Sequence, residues 1–241
     1  MVRPLALVTG GARRLGAAIA ARLAQEGYDL AIHCSREKAL EPPLADLGCA
    51  TFVADFAEAG AAERLFGSVV ACCGRPPALL VNNASVFGPD RAGEATAATL
   101  AEAFAVNCAA PVLLTQAMAA AGGRTVINIL DQRIAHPHRD QLSYTLGKLG
   151  LAGWSTIAAA SFPTLRVNAV APGLTLPTGD YDAAQMARLS ALMPLGRLPT
   201  PNDIADAVAY LAAAPVTGQT LFVDGGAHLV PFDEDFVSLA R

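Results

Sequence analysis

Tyr144 and Lys148, in the run Ser143-Tyr-Thr-Leu-Gly-Lys148, stand four residues apart. On a helix that spacing puts the phenol and the ammonium on one face. A neighbouring positive charge favours the phenolate and lowers the hydroxyl's pKa, which makes the tyrosine a usable proton donor or acceptor near neutral pH. Tyrosine and lysine meet at this spacing by chance in many helices, so the pair gains meaning only from its surroundings. A second stretch, Thr9-Gly10-Gly11-Ala12-Arg13-Arg14-Leu15-Gly16, is suited to binding. Gly10 and Gly11 permit backbone angles closed to other residues, and Gly16 lets a helix start lie close to a strand and to a ligand. Such a turn aims amide N–H groups and the positive end of a helix dipole at one point, which suits a phosphate. The spacing departs from G-x-G-x-x-G, because Arg14 takes the place of the middle glycine.

These residues need a scaffold that brings residue 10 to residue 148. The apolar run Leu5 to Val8 predicts a buried strand, and the alanine-rich run from Leu15, with Ile19 and Leu23 at helical spacing, predicts a helix ending at Gly27. Further strands are predicted at Asp29 to His33, Ala50 to Val53, Ala78 to Val81, Thr125 to Leu130, Leu165 to Ala171 and Thr220 to Val223, with helical patterns at Glu37 to Leu47 and Ala59 to Cys73. Alternating strands and helices imply one α/β domain spanning 1–241, a doubly wound parallel sheet of about seven strands with helices on both faces. In such sheets ligands bind beyond the carboxyl ends of the strands. The segments that follow strands carry Gly10 to Gly16, Cys34-Ser35-Arg36, Asp55, Asn82 to Phe87, Asp131 and Pro172-Gly173, and all should converge on one crevice.

With 241 residues, 53% of them hydrophobic and 16% charged, the chain can build a large core. The net charge of −4 is dispersed, so neither nucleic acid nor an anionic membrane surface is an expected partner. The first strand is predicted to begin close to Met1, so no secretory signal is expected. Five unpatterned cysteines (Cys34, Cys49, Cys72, Cys73, Cys108) read as reduced, buried thiols in a cytoplasmic protein. The four histidines have no ligand spacing, so no metal site is expected. Ala105 to Gly123 and Leu149 to Leu165 carry no charge, yet Asn107, Pro111, Gln116 and several Ser, Thr and Gly residues make them poor lipid-facing helices. A helix without a polar face is normally buried all round. The outer faces of these helices are therefore expected to meet further copies of the chain, in a homo-oligomer for which a tetramer is expected, although the residues do not separate dimer from tetramer.

Taken with the glycine turn, Asn82-Asn83-Ala84 and Pro172-Gly173, the Tyr144-x-x-x-Lys148 pattern resembles the short-chain dehydrogenase/reductase family. The likeness runs from Thr9 to Asp224-Gly225-Gly226. The resemblance implies a nicotinamide cofactor held by the turn from Thr9 to Gly16, with Asn83 and Ala84 lining its channel, Asp55 at the adenine and Pro172-Gly173 beside the nicotinamide. It implies Tyr144 as proton donor, Lys148 as the group that holds the ribose and tunes the tyrosine, and Asn107 as a helper of a water relay to the lysine. At the end of the second strand, Ser35 and Arg36, with Arg13 nearby, offer a hydroxyl and cations in place of the acidic residue of NAD-selective sites. NADPH is the cofactor that this suits.

Two departures from the family pattern point to a substrate. Asp131 stands thirteen residues before Tyr144, where the family usually has serine, and Arg14 replaces a glycine. An ionised carboxylate would repel a developing alkoxide, but it can bind a nitrogen heterocycle or relay a proton to it. Both residues, with Asn83-Ala-Ser-Val-Phe87, Pro172-Gly-Leu174 and Asp224-Gly-Gly-Ala-His-Leu229, resemble the pteridine reductase and dihydromonapterin reductase branch. That resemblance implies a dihydropterin substrate contacted by Arg14, Ser85, Phe87, Asp131, Tyr144 and Leu174, with the Phe87 ring stacked on the pterin. The alternatives are a 3-oxoacyl-thioester carbonyl reductase and a non-catalytic NADPH-sensing protein. The weakly periodic segment 174–198, with Thr178-Gly179, is expected to be a substrate flap, and the acidic tail 231–241 has no assigned role.

Overall fold

The computed structural model describes residues 2–37, 39–42, 44–176, 182–232 and 236–239. Seven parallel strands form one sheet in the order β3-β2-β1-β4-β5-β6-β7. They are β1 (Leu5–Val8), β2 (Asp29–Cys34), β3 (Ala50–Val53), β4 (Leu79–Asn82), β5 (Thr125–Ile129), β6 (Arg166–Pro172) and β7 (Thr220–Val223). The predicted strands all form, with ends moved by at most one residue. Along β1, Ala6 and Val8 enter one apolar layer and Leu5 and Leu7 the other. This two-sided burial is why the inner strands read as continuous apolar runs instead of alternating ones.

Helices cover both faces. On one, α1 (Arg14–Gln25) and α7 (Pro201–Ala213) pack through Ile19, Leu23, Ile204, Val208 and Leu211. On the other, α2 (Ala61–Cys73), α4 (Ala110–Ala120) and α5 (Leu142–Ser161) contribute Leu65, Val69, Leu114, Met118 and Ala158. Helix α3 (Ala97–Phe104) runs into α4 through a π-helical turn, Ala105–Ala109, that carries Asn107. This run, Ala97–Ala120, is long and apolar enough to cross a membrane, but Leu114, Thr115 and Met118 are fully buried against the sheet. The strand order reverses between β1 and β4, so the crevice lies at their carboxyl ends.

Three expectations are corrected. No α-helix spans the described part of Glu37 to Leu47, which holds only the 3-10 turn Leu44–Asp46; Pro42 and Pro43 remove helical N–H donors and push the preceding residue out of the helical region. The cysteines are free but not uniformly buried: Cys34 and Cys108 are, Cys49 and Cys73 are half-buried, and Cys72 is exposed. The flap segment, for which no element was predicted, contains α6 (Ala183–Leu192), started by a reciprocal Asp182–Gln185 cap. Thr178-Gly179 and much of the tail lie outside the described residues, whereas Phe236 is buried with Leu189 and Met193 of the flap.

Candidate active site

A cleft of about 930 Å³ opens at the carboxyl ends of the strands. It is lined by Gly10, Arg13, Arg14, Leu15 and Gly16, by Ser35, Arg36 and Asp55, by Asn83, Ala84, Ser85 and Phe87, and by Asp131, Tyr144, Lys148, Pro172 and Gly173. Seventeen of the twenty residues singled out from sequence therefore meet there. A smaller cavity at the opposite end of β1 and β2 holds an Asp29 carboxylate already paired with Arg3 and Arg75, and it brings no comparable chemistry together.

The glycine turn is tight for a visible reason. Gly10 has φ +60° and a Cβ on it would lie 2.9 Å from Ala84 Cα, while a Cβ on Gly16 would lie 2.2 Å from the Gly10 carbonyl oxygen. Helix α1 begins without a side-chain cap from Arg13 and without an acidic residue in its first turn, so the N–H groups of Leu15 and Gly16 suit an anion. Arg14 takes a left-handed conformation, φ +51°, and donates its amide N–H to Glu41 Oε2 at 2.7 Å. Its side chain and that of Arg13 are exposed to the cleft. His33, which the sequence reading passed over, is the turn's anchor: Gly10 N–H donates to its Nδ1 at 3.2 Å, and its Nε2–H donates to Ala54 O at 2.8 Å. Burial pushes the His33 pKa down, and the neutral ring is the form these two bonds require.

Thr9 lies beneath the cleft. Its Oγ1 accepts the N–H groups of Asn83 and Ala84 at 2.9 and 3.0 Å. Asn83 Nδ2 returns bonds to the carbonyls of Thr9 and Gly10. Both residues shape the channel: Thr9 is buried beneath it, and Asn83, held through its amide nitrogen, lines it. The cleft thus offers a glycine cradle, the α1 N–H groups that follow the one Glu41 takes up, and cations at the end of β2, which together fit a dinucleotide phosphate.

At the other end of the cleft, Tyr144 Oη donates to Asp131 Oδ2 at 2.7 Å. Asp131 is held in turn by the Arg133 N–H, which donates to Oδ1 at 2.9 Å. Lys148 is 2% exposed and donates from Nζ to Ile129 O at 2.7 Å, with Nζ 5.6 Å from the centre of the Tyr144 ring. Burial lowers its pKa to about 8, an effect the Asp131 carboxylate partly offsets. Phe87 is 68% exposed, with its ring edge-on to Tyr144 at 6.2 Å between centroids. Deeper, Asn82 Nδ2 donates to Asn128 Oδ1 and Asn128 Nδ2 to Ser155 Oγ, both at 2.8 Å, forming a buried polar chain from β4 through β5 to α5.

Two predicted residues sit elsewhere. The buried Asn107 side chain is bonded to the loop after β4, accepting from Ser85 Oγ and Val86 N–H and donating to Val86 O. These bonds hold that loop in place and turn the Asn107 side chain towards it. Leu174 turns into the apolar cluster of Leu189 and Met193, and Thr175 and Leu176 line the cleft instead.

A family model described as Enoyl-(Acyl carrier protein) reductase matches residues 10–228. FolM Alternative dihydrofolate reductase 1 from Brucella suis, solved in complex with NADP, superposes with a TM-score of 0.82 at 36% identity, covering 94% of this chain and 96% of that one. The (3R)-3-hydroxyacyl-CoA dehydrogenase of Mus musculus is 33% identical over 247 residues, 92% of this chain and 95% of its own length. The D-threitol dehydrogenase of Mycolicibacterium smegmatis is 32% identical over 239 residues, 92% of each chain. Matched along nearly its whole length in sequence and fold, the chain belongs to the short-chain dehydrogenase/reductase family of NAD(P)-dependent oxidoreductases.

Proposed function

We propose that this enzyme reduces a dihydropterin with NADPH. The observation that carries the reading is the 2.7 Å bond from Tyr144 Oη to the Asp131 carboxylate, where a carbonyl reductase of this family has a neutral hydroxyl. A carboxylate there would repel the alkoxide that forms when a ketone is reduced, but it accepts hydrogen bonds from the ring N–H and amine groups of a pterin. The exposed Phe87 ring supplies a flat apolar face beside Tyr144 for a heterocycle. The FolM relative is consistent with this choice.

When bound, the reduced nicotinamide supplies the hydride, which adds to a ring carbon of the C=N bond. Tyr144 gives its proton to the adjacent nitrogen, and the Lys148 ammonium stabilises the phenolate left behind. Asp131 holds the phenol before transfer and orients the pterin. Ser35, Arg36 and Arg13 suit the extra phosphate of NADPH, although Glu37 also borders this end of the cleft. The free thiols support a reducing, cytoplasmic setting. A homo-oligomer, a tetramer in this reading, is supported by Phe104, Leu146, Leu149 and Ile157, all exposed on α3 and α5.

The test is NADPH oxidation by the purified protein with dihydrobiopterin and dihydromonapterin, for wild type and Asp131→Ser. Turnover that drops about a hundredfold or more in the variant is expected, the scale of a lost proton-transfer group. Reduction of an acetoacetyl thioester but of neither pterin would instead select the oxoacyl reading, which the hydroxyacyl-CoA dehydrogenase relative favours.

A further inference from the structure

The start of α5 poses a problem. Tyr144 is the third residue of this helix, so its position depends on how the first turn is fixed. The helix lacks the usual means: Gln141, at the N-cap, has φ +50° and makes no side-chain cap, and the first turn contains no acidic residue. Asp90 supplies what is missing from another part of the chain. Its main-chain oxygen accepts the Leu142 N–H at 3.0 Å. Its carboxylate accepts the Ser143 N–H at 3.2 Å and also the Ser143 hydroxyl. An anion at this end of a helix also meets the favourable pole of its dipole.

Asp90 is three residues beyond Phe87, on the same loop. A second tie joins the same two segments, because Arg91 pairs with Asp140 in an isolated antiparallel bridge. Asp140 is itself buried in an ion pair with Arg133 at 2.9 Å. Arg133 is the residue whose N–H holds Asp131. The contacts thus close a ring: Asp131 to Arg133, to Asp140, to the Arg91–Asp90 loop, to Ser143, and through Tyr144 back to Asp131.

We propose that Asp90 is the positioning residue that sets Tyr144 against Asp131 and keeps the Phe87 loop in register with both. This rests on the reading of Tyr144 as proton donor but not on the identity of the substrate. Asp90 touches no reacting atom; it acts through Ser143.

The test compares Asp90→Ala, Asp90→Asn and Ser143→Ala with whichever substrate the wild type turns over, pterin or oxoacyl thioester, so failure of the pterin reading leaves it standing. In Asp90→Ala, kcat should fall about tenfold or more, as expected when a reacting group is misplaced. The solvent deuterium isotope effect on kcat should rise because the proton step becomes slower, while NADPH affinity, read by fluorescence titration, stays unchanged. Asp90→Asn should recover most of kcat, since an amide oxygen still accepts from Ser143. An unchanged kcat or isotope effect in Asp90→Ala would overturn the proposal. If Asp90→Ala also loses NADPH affinity, Ser143→Ala decides: reduced kcat with intact affinity supports the proposal, and wild-type kcat overturns it.

Discussion

Lys148 is the residue whose environment most directly predicts behaviour in solution. Burial lowers its pKa to about 8, so the ammonium, which in the proposed mechanism stabilises the tyrosinate, is lost as pH rises through that value. We expect kcat/KM for reduction to fall above about pH 8, and Lys148→Met to abolish that limb while lowering the plateau. A profile with an unchanged alkaline limb in Lys148→Met would assign the limb elsewhere. The sign for stability is opposite: between pH 8 and 10.5 the unfolded chain binds more protons at this lysine than the native one, so its contribution to stability rises with pH. The placement of this residue and of Tyr144 together on α5 was legible in the sequence because it depends on a helical interval. The occupied side chain of Asn107 and the inward turn of Leu174 were not, since both are set by what another segment leaves open. His33 and Asp90 give no sequence signal of their own, because each acts by bonding to the main chain of a distant turn.

At the scale of elements, α5 reaches the site because glycines let it approach the π-helical turn closely. A Cβ on Gly147 would stand 2.9 Å from Asn107 Cβ and 3.3 Å from Ala103 O. Gly147→Ala should therefore destabilise the protein by about 1–3 kcal/mol in denaturant melts, overpacking outweighing alanine's better helix propensity. Gly67→Ala in α2, where nothing lies within 4 Å, should instead stabilise by about 0.5–1 kcal/mol. Equal effects at the two positions would contradict the packing argument. The strands were legible almost to the residue because two-sided burial imposes an apolar run with polar residues at its end. The segment from Glu37 was misread as a helix because its spacing was weighed above Pro42-Pro43. Helix α6 was missed because of its ten residues only Leu189 is buried, which leaves little periodicity to find.

For the whole molecule, the exposed apolar residues of α3 and α5 predict self-association. Light scattering at micromolar protein should return a multiple of the chain mass, and Phe104→Glu together with Ile157→Glu should shift it towards the monomer; a monomeric wild type would refute this. The convergence of six strand ends on one cleft was legible from chain order alone, since parallel strands with covering helices leave their carboxyl ends on one side. The polar chain from Asn82 through Asn128 to Ser155 has a consequence for folding. Apart from Thr125 at the start of β5, strands β4 and β5 are otherwise apolar, so hydrophobic burial alone scarcely distinguishes the native alignment from one slipped by two residues. Asn82 and Asn128 are register partners, and a slip would break the bond between them and bury its donor and acceptor apart, at about 1–3 kcal/mol for each group left unsatisfied. The pair acts as a detent: Asn83 and Asp131 follow these strands within three residues, and the click that aligns the sheet also aligns the two halves of the cleft.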